Sequence, residues 1–276
     1  MAGTPMPVVG PARRMDPYRV ALWCYGAIFF AFLYAPLLMI VCLSFNDSRI
    51  TGFPLKGFTF KWYETVFNSP VLLQSLANSV YVGAVAAAIA TTLALLLGLA
   101  FRHDFRGKRL VLYMIIAPII VPGIIGGIVL LIFFGYLGVR PSLMTTVLVG
   151  HVNWVLPFAF LTLYPRLHKL DRSLEEAAMD LGAREGRVFW EIVFPIIRPA
   201  VIATAIFAFS LSFDEFIRTV FTVGADRTIP VQFYVLIVEE LSPELPAMAV
   251  IIILLTMTTS LLGFAFAWRA DRQPSA

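Results

Sequence analysis

The chain has 276 residues, of which 59% are hydrophobic and 14% charged, with a formal net charge of +4. Soluble domains run nearer half apolar and a quarter charged, so an ordinary water-soluble fold is excluded. The positive balance is not a nucleic-acid signal either, because the cations fall in the connections between long apolar blocks rather than along one basic face.

A helix rises ~1.5 Å per residue and needs ~20 apolar residues to cross a ~30 Å hydrocarbon core. In chain order, six blocks meet that length: roughly 20–43, 76–100, 110–134, 143–164, 200–221 and 246–268. They predict an all-α membrane protein with six transmembrane helices in a single domain over residues 20–270, between short tails at 1–19 and 271–276. The first block is too long for a cleavable secretory signal, and no small-residue cleavage pattern closes it. Arg13, Arg14 and Arg19 among several prolines mark the first 19 residues as an irregular tail.

Charge orients the helices. Fifteen Lys and Arg fall in the first tail, the connections 101–109 and 165–199, and the last residues; six fall on the other side. The positive-inside rule then places both termini in the cytoplasm, as an even number of spans requires. Cys24 and Cys42 lie in the first span, some 27 Å apart by helical rise, too far to bridge. They read as apolar packing residues.

The connection 165–199 is too structured for a linker. Ser173 with Glu176 three residues on fits a capping box. Good helix formers follow from Leu174 to Leu181, and Gly182 ends the run as a C-cap. A second helical stretch covers about 185–194, and Pro195 and Pro199 punctuate the approach to span five. Oppositely charged residues recur at i, i+4: Arg172/Glu176, Asp180/Arg184 and Arg187/Glu191. This is either a solvated helical hairpin or a docking element, whose apolar stripe of Leu174, Ala177, Ala178 and Leu181 enters a groove on a soluble partner.

Glu176-Ala177-Ala178, then Gly182, then Ile192 with Pro195 resembles the EAA loop of permease subunits of bacterial ABC importers; Phe194 stands where that pattern has Leu. The resemblance covers roughly residues 20–270. Tyr34 and Pro36, Ser44-Phe45-Asn46, Phe60-Lys61-Trp62-Tyr63, Arg106-Gly107-Lys108 and Leu211-Ser212-Phe213-Asp214-Glu215-Phe216 are similar to the polyamine (spermidine/putrescine) type, and to its second permease subunit in particular. It implies a type I importer permease fold in a bacterial inner membrane. It also implies a partner permease, two ATP-binding subunits, an external solute-binding protein, and a coupling role for Glu176, Ala177, Ala178, Gly182, Ile192 and Pro195. Relatives of that type carry other organic amines, organophosphonates and sugars, so these remain alternatives for the cargo.

The chain carries no phosphate loop of its own. Around Gly107-Lys108, Arg102 sits where the first glycine belongs and Arg109 where Ser or Thr belongs. No cofactor is expected here; ATP and magnesium belong to a partner. A membrane hydrolase would need a motif such as His-Glu-x-x-His or Gly-x-Ser-x-Gly, and neither occurs. A passive channel would not require the EAA spacing.

Four residues are candidates for the solute pathway. Asp214 and Glu215 lie about fourteen residues, ~21–22 Å, into span five by helical rise. Carboxylates at membrane depth face a wet cavity or a partner, and adjacent ones point about 100° apart. Either one of them attracts a cationic solute, or span five ends near Leu211 and Arg218 neutralises one at i+3 or i+4. Asn153 and Trp154, at the outer end of span four, are the other two. Trp154 alternatively anchors the interface, and Asn153 alternatively bonds a neighbouring helix. His151 has no second ligand nearby, so no metal site is expected. In span three, Pro118 and Pro122 break the backbone ladder, while Gly123 and Gly127 form a small-residue face for close helix contact.

Overall fold

The computed structural model describes residues 17–239 and 242–271. Of the tails expected at 1–19 and 271–276, residues 1–16 and 272–276 lie outside the described residues, and Asp271 ends the last helix. Residues 17–19, expected in the first tail, are already helical: α1 runs Pro17–Leu43.

The elements follow in order. A short α2, Lys61–Phe67, precedes α3, Pro70–Ala100; then come α4, Lys108–Ile120, and α5, Gly123–Tyr136. A π turn at Leu143–Val147 leads into α6, Leu148–His168. The connection forms α7, Ser173–Asp180, and α8, Glu185–Val188. A second π turn, Phe189–Val193, joins α8 to α9, Phe194–Phe213. Next come α10, Ile217–Thr222, α11, Ile229–Glu239, and α12, Leu245–Asp271. Among the described residues, five helices are long and apolar enough to cross a bilayer: α1, α3, the helix through α6, the helix through α9, and α12.

The third block, 110–134, is not one straight span. α4 and α5 meet at Val121–Pro122 and are bent by 107°. Pro122 donates no N–H, and Val121 before it is extended, as a residue preceding proline prefers. The pair nevertheless carries the chain from one end of the bundle to the other. Phe101, at the end of α3, packs on Phe160 and Tyr164 near the end of α6. The helix through α6 has 26 residues and so starts ~39 Å away.

Span five differs from its expected range of 200–221 in both directions. It begins at Glu185 and runs 29 residues without a break to Phe213. Pro195 and Pro199, read as punctuation, lie inside it. In the π turn ahead of Pro195 the bonds run i→i+5, so the Glu191 carbonyl does not require the amide that proline lacks. At the other end the helix stops at Asp214 and restarts as α10.

α3 forms the centre because its buried face is small. Ser75, Ser79, Gly83, Ala87, Thr91, Ala94 and Gly98 recur at three or four residues, which lets neighbouring backbones approach closely. α6 and α9 lie against it, α12 packs on α9, and α1 on α12. α1 buries no residue within the chain, leaving its apolar surface for lipid or another subunit. One core gathers Phe101, Phe160, Leu163, Leu167 and Ile197 near the α7 end; a second gathers Trp62, Leu72, Phe213 and Met248 at the opposite end. There Asn46 organises the connection between α1 and α2: it accepts from the Lys56 amide at 2.8 Å, and its carbonyl accepts the Trp62 indole N–H at 2.8 Å.

At Gly98 a side chain would place its Cβ 2.5 Å from Leu167 Cδ1, in the fully buried α3–α6 contact. Gly98→Val is therefore expected to destabilise by roughly 1–3 kcal/mol, the usual range for overpacking. Thermal unfolding in detergent reads this out. Gly135→Ala, which enters open space, serves as the unaffected control.

Candidate functional site

Two regions carry chemistry, one at each end of the bundle. At the α7 end, the helix starts differently from the expected capping box. Arg172 occupies the N-cap without a side-chain bond. The Asp171 carboxylate accepts the Ser173 N–H at 3.0 Å, and that bond holds Asp171 below the usual carboxylate range. The C-terminus matches the expectation closely. Gly182 has φ +89°, Ala183 N–H reaches Ala178 O at 3.0 Å, and Gly182 N–H reaches Met179 O at 2.9 Å. This double closure is a Schellman motif, which needs a left-handed residue where glycine sits.

α7 divides its residues between inside and outside. Ala178 packs on the core, with Ile192 behind it. Glu176, Ala177 and Pro195 are exposed; Leu174 is 48% exposed and Leu181 91%. Three of the four residues of the predicted stripe, Leu174, Ala177 and Leu181, are thus exposed. Glu175 turns inward and forms an ion pair with Arg102 at the end of α3. Of the predicted i, i+4 pairs, Arg187 and Glu191 meet at 2.9 Å, whereas Arg172 donates to the Arg102 carbonyl.

At the opposite end, the two adjacent carboxylates separate. Glu215 is buried. Its Oε1 accepts the Arg218 N–H at 2.8 Å and its Oε2 lies 3.3 Å from the Arg218 guanidinium. That guanidinium stacks on Trp154, 3.9 Å from the ring centroid. Asp214, the residue at which α9 ends, is exposed and takes only a long 3.5 Å bond from the Thr256 hydroxyl. It borders two cavities. One, of about 560 Å³, is walled by Trp154, Phe207, Leu211, Thr256 and Phe264. The other, of about 410 Å³, is walled by Phe216, Phe233, Tyr234 and Ile252.

The structure thus brings Trp154, Asp214 and Glu215 together and leaves Asn153 apart. Asn153 is exposed and borders neither cavity. His151, set aside as a metal ligand, is buried between the Ser212 hydroxyl at 2.6 Å and the Thr219 hydroxyl at 2.7 Å. The Thr219 hydroxyl also donates to Glu215 O at 2.6 Å. Gly123 and Gly127 do form a contact face, and what lies on it is α10: Ile217 and Arg218 over Gly123, Phe221 over Gly127.

Residues 90–272 match the family described as binding-protein-dependent transport system inner membrane component. The chain belongs to this family. It is 35% identical over 230 residues to the spermidine/putrescine transport system permease protein PotC of Escherichia coli (strain K12), covering 83% of this chain and 86% of the relative. It is 32% identical over 272 residues to the putrescine transport system permease protein PotI of the same strain, covering 94% and 93%. A solved bacterial ABC transporter involved in the import of the acidic polysaccharide alginate superposes with a TM-score of 0.69 at 14% identity, covering 91% of this chain and 95% of that one. That likeness concerns the fold, which is that of ABC importer permeases.

For this inner membrane component, sequence reasoning found the carboxylates and Trp154, and offered Arg218 as the neutraliser of one acid without choosing which. The i+3 spacing of Glu215 and Arg218 was the available signal. The Thr256 and Tyr234 contributions, 42 and 20 residues beyond Asp214, leave no local trace.

Two outcomes follow. Gly182→Ala forces an L residue toward a left-handed conformation at a cost of roughly 1–2 kcal/mol, and Gly182→Pro also removes the N–H bonded to Met179. Faster hydrogen exchange at the Ala183 amide is expected in both, with the larger change in the proline variant. Arg218→Met strands a buried carboxylate and is expected to destabilise by about 3–5 kcal/mol. Adding Glu215→Gln should recover most of the lost thermal midpoint; no recovery would show that the ion pair is not the cause.

Proposed function

We propose that this permease forms half of the translocation pathway of an ATP-driven importer for a polyamine or a related organic amine. It would work in a bacterial inner membrane as a single six-span unit over 20–270, with both termini in the cytoplasm and the 165–199 loop coupling it to a cytoplasmic ATPase, one of two ATP-binding subunits in the assembly. A heterodimer with a second permease is the arrangement implied by the resemblance, and an external solute-binding protein delivers the cargo. ATP and magnesium are held by the partner subunits.

The observation that carries the solute reading is Asp214. It is a carboxylate at a helix break, unpaired by any cation among the described residues, between two apolar-walled cavities. An elongated amine offers the complement: a cationic group for the acid and methylenes for the walls. Glu215 is excluded from direct capture because Arg218 already neutralises it. The names of the relatives support the same class of cargo.

The coupling reading rests on the other end. Exposed Glu176, Leu174 and Leu181 on a rigidly capped α7 offer a helix face suited to a groove in a soluble partner.

The test is reconstitution with partner permease, ATP-binding subunits and binding protein, then uptake and ATP hydrolysis measured over a solute panel. Putrescine or spermidine is expected to stimulate both. Stimulation by a sugar or an organophosphonate alone would overturn the amine assignment, and uptake without ATP would overturn the importer. Asp214→Asn is expected to lower amine uptake about tenfold or more, since a hydrogen bond to a charged group contributes roughly 1.5–3 kcal/mol.

A further inference from the structure

The family's coupling pattern contains Glu176. The residue beside it, Glu175, is the one the fold uses internally, and its partner lies on a different span. α7 sits in the connection between α6 and α9, so a push on α7 reaches those two helices through the chain itself. Its route to α3 is through side chains. The Glu175 carboxylate pairs with the Arg102 guanidinium, and the Arg172 guanidinium donates to the Arg102 carbonyl. The two links run in opposite directions across one residue. The Arg102 side chain is 7% exposed and that of Glu175 21%, so water screens this pair far less than a surface pair.

Arg102 is well placed to deliver a displacement. It directly follows Phe101, which is buried against Phe160 and Tyr164. α3 then continues for 31 residues, ~46 Å, through the centre of the bundle. At its far end the Asn78 amide donates to Arg227 O at 2.9 Å, and the Ser79 hydroxyl accepts the Ile229 N–H at 2.8 Å. These bonds grip the segment that follows α10.

We infer that Arg102 and Glu175 are positioning residues that fasten α7 to α3, so that movement imposed on α7 is delivered to the central span as well as to its two flanking helices. Glu176, exposed on the neighbouring face, is left for the partner. This rests on the reading of 165–199 as the surface facing the ATP-binding subunits. The two fail differently: no ATP-driven uptake by the unaltered complex defeats that reading, whereas the present inference concerns the ratio of uptake to hydrolysis.

The experiment compares Arg102→Gln, Glu175→Gln and the exchanged pair Arg102→Glu with Glu175→Arg in the reconstituted full complex. Solute uptake and stimulated ATP hydrolysis are measured on the same vesicles. In the single variants, uptake per ATP is expected to fall about tenfold, within the usual range of coupling between sites, while hydrolysis stays within about twofold. The exchanged pair is expected to regain most of the ratio. Uptake and hydrolysis falling together, or a ratio unchanged in both single variants, would overturn the inference. So would an exchanged pair no better than the singles. If Arg102→Gln does not assemble with its partners, Glu175→Gln, which removes only a charge, decides the matter alone.

Discussion

A hydrocarbon core offers the backbone nothing to bond with, so every interruption of a helix inside it must be satisfied by the protein itself. Among the described residues, two such breaks, at Val121–Pro122 and at Asp214–Phe216, lie against each other. Arg218 joins them. Its side chain lies beside Gly123 and Gly126 at the start of α5, its own N–H bonds the Glu215 carboxylate, and Trp154 covers its guanidinium face. Hydroxyls bond carbonyls along the seam: Thr219 bonds Glu215 O, Thr222 bonds Arg218 O, and Thr146 bonds Thr222 O at 2.6 Å. The glycines of α5 are what admit α10 this closely, since a side chain at Gly127 would meet the Phe221 ring at 2.5 Å.

That seam decides which charge is free. A continuous helix through 200–221 would have left Asp214 and Glu215 as two acids on a rod, about 100° apart. The break turns Glu215 into the group that stabilises the start of α10, and desolvating it is tolerable because a cation and an amide meet it directly. Asp214, the residue that caps α9, keeps its exposure. Asp214 is therefore the carboxylate left free beside the cavities, whereas Glu215, which also lines the larger one, is held by Arg218.

Much of this was legible in the residues, and what was not has a physical cause. The apolar blocks locate the helices because a bilayer demands ~20 residues per crossing. The closure at Gly182 was readable because a left-handed residue after a helix strongly favours glycine. The helix starts were less readable: Asp171 displaced Ser173 as the residue meeting the first amides, since both are competent acceptors and spacing alone does not choose between them. The proline signals failed in one place and held in another. Pro195 and Pro199 were absorbed where a π turn precedes them, whereas Pro122 sits where the preceding residue is extended and the chain turns. The pairing of Arg102 with Glu175, 73 residues apart, is a tertiary fact with no local signature.

Both ends of the molecule solve one problem in the same way. Glu175 and Glu176 adjoin on α7 as Asp214 and Glu215 adjoin at the end of α9, and helical geometry makes it difficult for neighbours to share a target. In each pair one acid is taken by an arginine of the protein, Arg102 or Arg218, and becomes part of the frame. The other is left exposed toward whatever lies outside the chain. The inward acid fixes the local backbone, and a fixed backbone is what gives the outward acid a defined direction. Removing either arginine should therefore blur two functions at once: it frees a second negative charge beside the first, and it loosens the segment that aims the first. A lone carboxylate on a mobile loop would carry the same charge without that direction.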